Sequence, residues 1–440
     1  MERVRTVQAQ YLVRHLAAIQ RIAAASLLLA GALALSGCVV QETKPLPKIA
    51  AVQSTAEIPQ DELLDVGIRV FDPGIPADKA DDLEALAKLR IYPDLRKAEA
   101  HYLPTLLRQT LESTSQWGAV RVVPENADSV DLLVTGKILY STGRELALAV
   151  SATDSAGRVW LDAKRYGSAA DLGSYKTPQA LKARDPFQNV YAEIANDLLA
   201  VRQKLTAQDR QDLRRLTGLK FARDLAPETM SGFASPDKAG VLRVVRLPAT
   251  NDPFVERVER IRERDDTMID TVNGYYAGFA AGMSESYGSW RQTSYEEIEK
   301  EDRARSSARL RAGLGAAAVL ASILVPNQCA GDAYTCRNVQ SAARTAGTVG
   351  GIAAVLSGIK KFSDARVHAE SLKELSESFE AEVAPQLVEV EGRTLRLTGS
   401  AEEQYREWRK LLRQIYLEES GGVAGSAPAV PVGTEAPPSS

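Results

Sequence analysis

The feature that most constrains this chain is its N-terminal segment, where a basic head precedes an apolar run. The basic residues of the head are Arg3, Arg5, Arg14 and Arg21, and the run from Ile22 to Leu35 is apolar apart from Ser26. This arrangement is typical of a secretory signal peptide. The run is about 14 residues long, whereas a membrane-spanning helix needs roughly 20, so we favour a cleaved leader over a permanent anchor. We therefore expect residues 1–37 to be removed and the mature chain to fold outside the cytoplasm.

A single cysteine closes this leader. Leu35-Ser36-Gly37-Cys38 resembles the lipobox of bacterial lipoproteins. The resemblance implies cleavage before Cys38 and a diacylglycerol on its thiol, and two acyl chains hold a protein stably on a membrane. Because Val39 rather than Asp follows the cysteine, the sorting pattern of such lipoproteins implies the outer membrane, facing the periplasm. The alternative is a buried cysteine in a short apolar helix.

Charge and composition exclude nucleic acid as a partner. Loss of residues 1–37 removes four Arg and one Glu from 54 basic and 57 acidic side chains, which leaves a formal charge of −6. The remaining length suggests two or three domains. We predict a polar, proline-containing tether over 38–61 and a disordered tail over 421–440, where Gly, Pro, Ala and Ser dominate.

Two more cysteines, Cys329 and Cys336, stand in "CAGDAYTC". In an oxidising compartment this pair predicts a short-loop disulfide. A metal site would need further ligands, and the nearest histidine in sequence is His368. We predict neither a metal nor a cofactor beyond the lipid on Cys38.

Residues 62–205 predict an α/β domain. Val66, Ile68 and Val70 alternate with other residues as in a strand, and a helical stripe follows at Tyr102, Leu103, Leu106, Leu107 and Leu111. Four strand candidates come next, in "AVRVVP", "DLLVTGKILYS", "RELALAVSATD" and "RVWLDAKRYG". A second amphipathic helix, from Phe187 to Leu205, is positioned to cover the sheet.

This region resembles the small α/β domain of several periplasmic proteins, a group that includes the lipoproteins CsgG, LpoB and PelC and the N-terminal domain of TolB. In that group an Asp opens a strand ending in Gly, as Asp131 to Gly136 do here, and an Asp-x-x-Gly turn precedes a later strand, as at Asp154 to Gly157. The resemblance implies an adaptor or oligomer-forming domain without catalytic residues. CsgG, the curli exporter, forms its pore from a long pair of alternating strands. We identify no comparable pair in this sequence.

The next regions predict a connector with a strand over 206–250 and a long amphipathic helix over 251–308. Within that helix, Gly274, Gly278 and Gly282 share one face and lower helix stability, which suggests a closely packed partner. The alternative is a helix that breaks near Asn273-Gly274. The aromatic residues Tyr275, Tyr276, Tyr287 and Trp290 fit a helix core, or alternatively a sugar-stacking surface.

Residues 309–361 predict two apolar helices joined by the Cys329–Cys336 loop. Small residues recur every fourth position in each arm, at Gly313, Ala317 and Ala321 and at Gly350, Ala354 and Gly358. Such stripes allow close helix contact. Insertion of this hairpin into a bilayer and its burial against protein both stay open, because each apolar core is about 15 to 18 residues.

The last ordered region, 362–420, predicts a helix, a β-hairpin around Glu391-Gly392 and a final helix with a Ser400–Glu403 capping box. The whole chain is therefore expected to be α+β, with the α/β domain first, then long helices, the disulfide-stapled hairpin and this C-terminal unit.

Catalytic motifs are missing from the sequence, and we predict that the chain is not an enzyme. His101 lies among helix residues and is expected to be structural, and the adjacent acids Asp265-Asp266 and Glu296-Glu297 are expected on solvated helix faces. Two functions remain. One is an oligomeric scaffold or export component that associates with itself or with other envelope proteins. The other is a monomeric periplasmic adaptor that regulates a cell-wall enzyme.

Overall fold

The computed structural model describes residues 47–227, 232–249, 252–324, 386–390 and 393–420, with side chains for all of these except 178, 182, 304–324 and 386–395. These residues form a mixed α/β structure, consistent with the predicted α+β class. Cys38, Cys329, Cys336 and the tail over 421–440 lie outside the described residues, as do Gly350, Ala354 and Gly358.

The predicted α/β domain contains a five-stranded sheet. Its strands are β1 (Val66–Arg69), β2 (Val120–Val123), β3 (Leu132–Ser141), β4 (Glu145–Asp154) and β5 (Val159–Ala169). Their order is β2-β1-β3-β4-β5. β1 lies parallel to both neighbours, with Val66 opposite Val120 and Leu132, whereas β3, β4 and β5 form an antiparallel meander.

Helices pack on the sheet and close its core. They are α1 (Leu83–Lys88), α2 (Pro93–Ser113), α3 (Pro178–Ala183) and α4 (Gln188–Arg202). The largest contributors to the core lie on α2 and α4 and on alternate sheet positions, and they include Ile68, Val134, Leu148, Leu103, Leu107, Ile194 and Leu198. The alternating apolar residues of the strands and the apolar residues at every third or fourth position of the helices thus pack in one cluster.

Asp131 and Asp154, the aspartates of the two sequence motifs, each bind backbone and side-chain groups nearby. Asp131, directly before β3, accepts hydrogen bonds from the Asp65 N–H (2.8 Å) and from the Thr217 hydroxyl (2.6 Å). Asp154, at the end of β4, accepts hydrogen bonds from the backbone N–H of Ala156 and Arg158 and from the Trp160 indole. Gly157 completes that turn with φ of +85°, a conformation that favours glycine. Both motifs therefore serve the fold.

The region from 206 to 250 differs from the predicted connector with one strand. It contains the helix α5 (Ala207–Leu225) and a hairpin of two short strands, β6 (Ala234–Pro236) and β7 (Leu242–Val244). α5 starts at a Thr206–Asp209 capping box. Its apolar stripe is narrow because most of its residues are charged or polar, so the periodicity that predicts a helix is weak.

A helix of 72 residues, α6 (Pro253–Leu324), follows. It continues through Asn273-Gly274, so the alternative of a break there is wrong. It also passes the predicted boundary at residue 308 and includes Gly313, Ala317 and Ala321. One helix about 108 Å long therefore replaces the predicted helix and the first arm of the predicted hairpin.

The last elements among the described residues are β8 (Gln386–Val390), β9 (Arg393–Leu397) and α7 (Ala401–Glu419). Ser400 and Glu403 form the predicted capping box at the start of α7. α7 packs with α5 and α6 in a second apolar cluster that includes Phe221, Ile261, Val272, Leu397 and Leu412.

The predicted tether over 38–61 is not free along its described part. Backbone groups between Pro47 and Val52 are hydrogen-bonded to α4, and Ser54 N–H donates to the Thr114 carbonyl (2.8 Å). Glu62, just beyond the predicted end, forms an ion pair with Arg210 of α5. The tether shows no sustained apolar periodicity, but its backbone finds polar partners that no hydropathy pattern reveals.

Candidate association surface

One side of α6 belongs to the core of the molecule. Of the residues that the sequence assigns to its apolar stripe, Val258, Ile261, Met268, Val272 and Phe279 are buried, while Phe254 and Tyr275 are half-buried. Tyr276, Tyr287 and Trp290 are also buried, which agrees with the core interpretation and not with an exposed sugar-stacking surface. α6 contributes to both apolar clusters and so joins the sheet domain to α7.

A buried ion pair fixes the middle of α6. Arg291 is 2% exposed, and its Nη2 donates to Asp185 Oδ2 at 2.8 Å, between α3 and α4. The guanidinium lies 4.4 Å from the centre of the Tyr287 ring. Burial alone would lower the pKa of Arg291, but Asp185 and the surrounding tyrosines raise that pKa well above its usual range. The cation is therefore retained in an apolar setting.

A second buried contact of α6 is made by Tyr287, one helical turn before Arg291. Glu99 of α2 is fully buried, and its Oε1 accepts hydrogen bonds of 2.6 Å from the hydroxyls of Tyr287 and Ser141. Burial, together with the nearby Glu99 carboxylate, raises the pKa of Tyr287 well above its usual range. The tyrosine therefore stays a hydrogen-bond donor and joins α6 to α2 and β3 through one carboxylate.

The C-terminal helix meets α6 at Asp265. This carboxylate is 2% exposed and accepts hydrogen bonds from the Tyr405 hydroxyl, the Trp408 indole and Arg409 Nη1, the last at 2.9 Å. Burial raises the pKa of Asp265 to about 6, although Arg409 lowers it. The prediction that Asp265 lies on a solvated helix face is therefore wrong, because α7 covers it.

α6 also covers an edge of the sheet. β2 is the outermost strand on one side. The Val122 N–H donates to Asn273 Oδ1 at 2.9 Å, and Arg121 forms an ion pair with Asp270. Side chains of α6 thus supply the partners that a further strand would otherwise supply.

The opposite side of α6 carries a small-residue face, which we define as Thr271, Gly274, Gly278, Ala281 and Gly282. All but the half-exposed Thr271 are exposed. A Cβ atom placed on Gly274 or Gly278 would meet no described atom within 4 Å. Between Asp270 and Glu296, Glu285 is the one exposed charged side chain of α6. The small-residue face therefore extends over about 17 Å, within a segment of α6 about 39 Å long that has a single exposed charge.

The glycines that do pack closely are others. Gly143, in the turn between β3 and β4, lies so near α6 that a Cβ there would overlap the carbonyl oxygen of Arg291. A Cβ on Gly288 would lie 2.6 Å from Leu181 Cδ2. Neither contact is visible in the sequence, because neither glycine lies in a recurring small-residue pattern.

The predicted small-residue positions are only partly described. Gly274, Gly278 and Gly282 share a face of α6, as predicted, but nothing in the described part of the chain packs against the first two. Gly313, Ala317 and Ala321 lie further along the same helix. The structure therefore places the residues of two predicted stripes on a single element.

The described residues offer little for catalysis. No group of His, Cys, Asp and Glu among them is placed to hold a metal ion. The His101 ring stacks on Tyr276 with centroids 5.8 Å apart, which agrees with a structural role. In the described part of the chain, helices that combine the length and the hydropathy needed to cross a membrane are not found.

Comparison with protein-family models, with curated proteins and with solved structures finds no match to this chain.

Proposed function

We propose that this chain is a lipid-anchored outer-membrane lipoprotein that faces the periplasm and acts as a non-enzymatic, oligomeric scaffold or export component in envelope assembly or secretion. The lipobox at Leu35-Ser36-Gly37-Cys38 supports the anchor. The partners are membrane lipid at Cys38 and, through α6, further copies of this chain or other envelope proteins.

The observation that carries the scaffold role is the small-residue face of α6. The exposed Gly274 and Gly278 each lower the stability of this water-facing helix by roughly 1 kcal/mol relative to alanine, and no contact in the described chain offsets that cost. A helix from a second molecule, approaching along the small-residue face, would bring backbones close together and bury it. The low charge of this face removes the desolvation cost that ordinary helix surfaces carry.

The firm attachment of α6 supports the same role. Arg291–Asp185, Tyr287–Glu99 and Asp265–Arg409 are all buried contacts that hold the helix against the rest of the molecule. A face held in one orientation loses little entropy on association. Copies joined through α6 would therefore repeat at a defined angle, as a ring or channel component requires.

The test is the mass of the detergent-extracted mature protein and of its Gly278→Leu variant, by light scattering across a range of concentrations. We expect a defined oligomer that Gly278→Leu dissociates, because the new side chain separates the helix backbones. Lys410→Leu is the matched control, since it adds the same apolar group to an exposed position of α7, away from the small-residue face.

An unsubstituted protein that stays monomeric at every concentration would contradict the scaffold role and favour the regulatory adaptor. An oligomer that Gly278→Leu leaves intact would show that association uses another surface.

A further inference from the structure

Two asparagines of α4 bind the backbone of an extended segment. Asn189 accepts a hydrogen bond from the Ile49 N–H (3.0 Å) and donates one to the Pro47 carbonyl (3.0 Å). Asn196 repeats the pattern, accepting from the Val52 N–H (2.9 Å) and donating to the Ala50 carbonyl (3.0 Å). Each amide therefore satisfies one N–H and the carbonyl two residues before it.

The spacing of the two asparagines matches the spacing of their ligand. Asn189 and Asn196 are seven residues apart, so they lie on one face of α4 about 10.5 Å from each other. The two N–H groups that they bind are three residues apart, which is about 9 Å in an extended chain with the three-residue period of polyproline II. The helix and the segment are therefore in register over two repeats.

The side-chain type is specific to this task. An asparagine amide carries both donors and an acceptor, whereas an aspartate carries acceptors alone and an aliphatic residue neither. Arg184 Nη2 donates to Asn189 Oδ1 at 2.8 Å and so holds that amide in place. Ile49 and Ala51 are half-buried while Lys48, Ala50 and Val52 are exposed, so one side of the segment packs on the domain.

We propose that Asn189 and Asn196 form a binding site for extended polypeptide backbone and that its occupant, the strap Pro47–Val52, keeps the sheet domain close to the membrane. The second half of this statement rests on the proposed lipid at Cys38. Val39 to Leu46 is the only chain between that lipid and the strap, and eight extended residues reach about 27 Å. Release of the strap as far as Gln53 would extend that reach to about 50 Å.

The first test needs no lipid. Amide hydrogen exchange is measured by mass spectrometry on the full mature chain bearing Cys38→Ser, with and without Asn189→Ala and Asn196→Ala together. We expect peptides that cover residues 47–52 to lose at least about tenfold in protection in the double variant. The exposed Asn126→Ala is the control and leaves protection unchanged. Equal protection in the double variant, or none in the unsubstituted chain, overturns the binding site.

Asn196→Asp sharpens the assignment. It keeps the shape and the acceptor for Val52 N–H but removes the donor to Ala50, so it lowers protection at the C-terminal half of the strap more than at Ile49. An equal loss of protection along the whole strap, or no loss, contradicts the assignment of one N–H and one carbonyl to each asparagine.

The second test measures the distance of the domain from the membrane. Neutron reflectometry on supported bilayers that carry the acylated mature protein compares the unsubstituted chain with the double asparagine variant. We expect the mean distance of the protein layer from the lipid to rise by about 6 Å in the double variant, with an outer limit up to about 20 Å further out. An unchanged layer overturns the role of the strap in spacing. If Cys38 carries no lipid, the proposed anchor fails, while the exchange experiment still decides the binding site.

Discussion

Asp265 shows how one buried residue makes the stability of this molecule depend on pH. Because burial raises its pKa from 3.8 to about 6, the folded state holds the proton more tightly than the unfolded state does. The contribution of this group to the free energy of unfolding is therefore largest below pH 4. It declines as pH rises from about 4 to about 6 and is then constant.

This decline is open to measurement. Asp265→Asn cannot ionise, so the difference in unfolding free energy between the unsubstituted chain and this variant should change by about 2 to 3 kcal/mol between pH 4 and pH 7. Urea unfolding at a series of pH values gives the difference. A carboxyl resonance of Asp265 that titrates with a midpoint near pH 4 in an NMR experiment would contradict the explanation.

Replacing single glycines by alanine should raise the free energy of unfolding at some positions and lower it at others. Gly274→Ala and Gly278→Ala should each raise the free energy of unfolding by about 0.5 to 1 kcal/mol, because alanine favours helix and its methyl group meets no described atom. Gly143→Ala should lower it by about 1 to 3 kcal/mol, because its methyl group would overlap the Arg291 carbonyl in α6. Chemical unfolding in dilute solution decides both. Destabilisation by Gly274→Ala and Gly278→Ala would mean that the face is already covered.

Among the elements, α6 depends on buried pairs much more than on exposed ones. Arg291–Asp185 has both side chains at most 8% exposed, whereas Arg144 and Asp302, which join α6 to the β3–β4 turn, are 37% and 46% exposed. Removing one partner of a buried pair leaves an unpaired charge in an apolar setting. Water screens the exposed pair.

We therefore expect Asp185→Ala to lower the free energy of unfolding by about 3 to 5 kcal/mol. Arg144→Ala, the matched exposed control, should lower it by less than about 1 kcal/mol. Equal effects of the two substitutions in urea unfolding would show that the buried pair does not fix α6.

The sequence predicts elements where periodicity is strong and fails where distant parts meet. Alternation at Val66 and Ile68 is enough to place β1, and the Ser400–Glu403 spacing is enough to place the start of α7. α5 escapes detection because its apolar stripe is narrow. Asp265 looks solvated because its partner Arg409 lies over 140 residues away, and no local pattern links them. The glycines of α6 are visible in the sequence, but which side of the helix is covered is settled only by packing.

At the scale of the whole molecule, the proposed anchor fixes what should be isolated from a membrane. Intact mass of the extracted protein should correspond to a chain that begins at Cys38 and carries two or three acyl chains. Cys38→Ser should abolish the added mass and release the protein from the membrane fraction. A native chain that retains residues 1–37 and a bare thiol would contradict the lipoprotein assignment.

The covering of β2 by α6 has a consequence for crowded surroundings. A lipid anchor of the proposed kind would concentrate many copies at the membrane surface. Unpaired edge strands of neighbouring copies would then meet often, and such strands can pair with one another and form fibrils. At the edge formed by β2, Asn273 accepts the hydrogen bond of the Val122 N–H, and Asp270 forms an ion pair with Arg121 beside it. Neighbouring copies can thus be packed densely without strand pairing along this edge of the sheet. Association through helix faces is favoured instead.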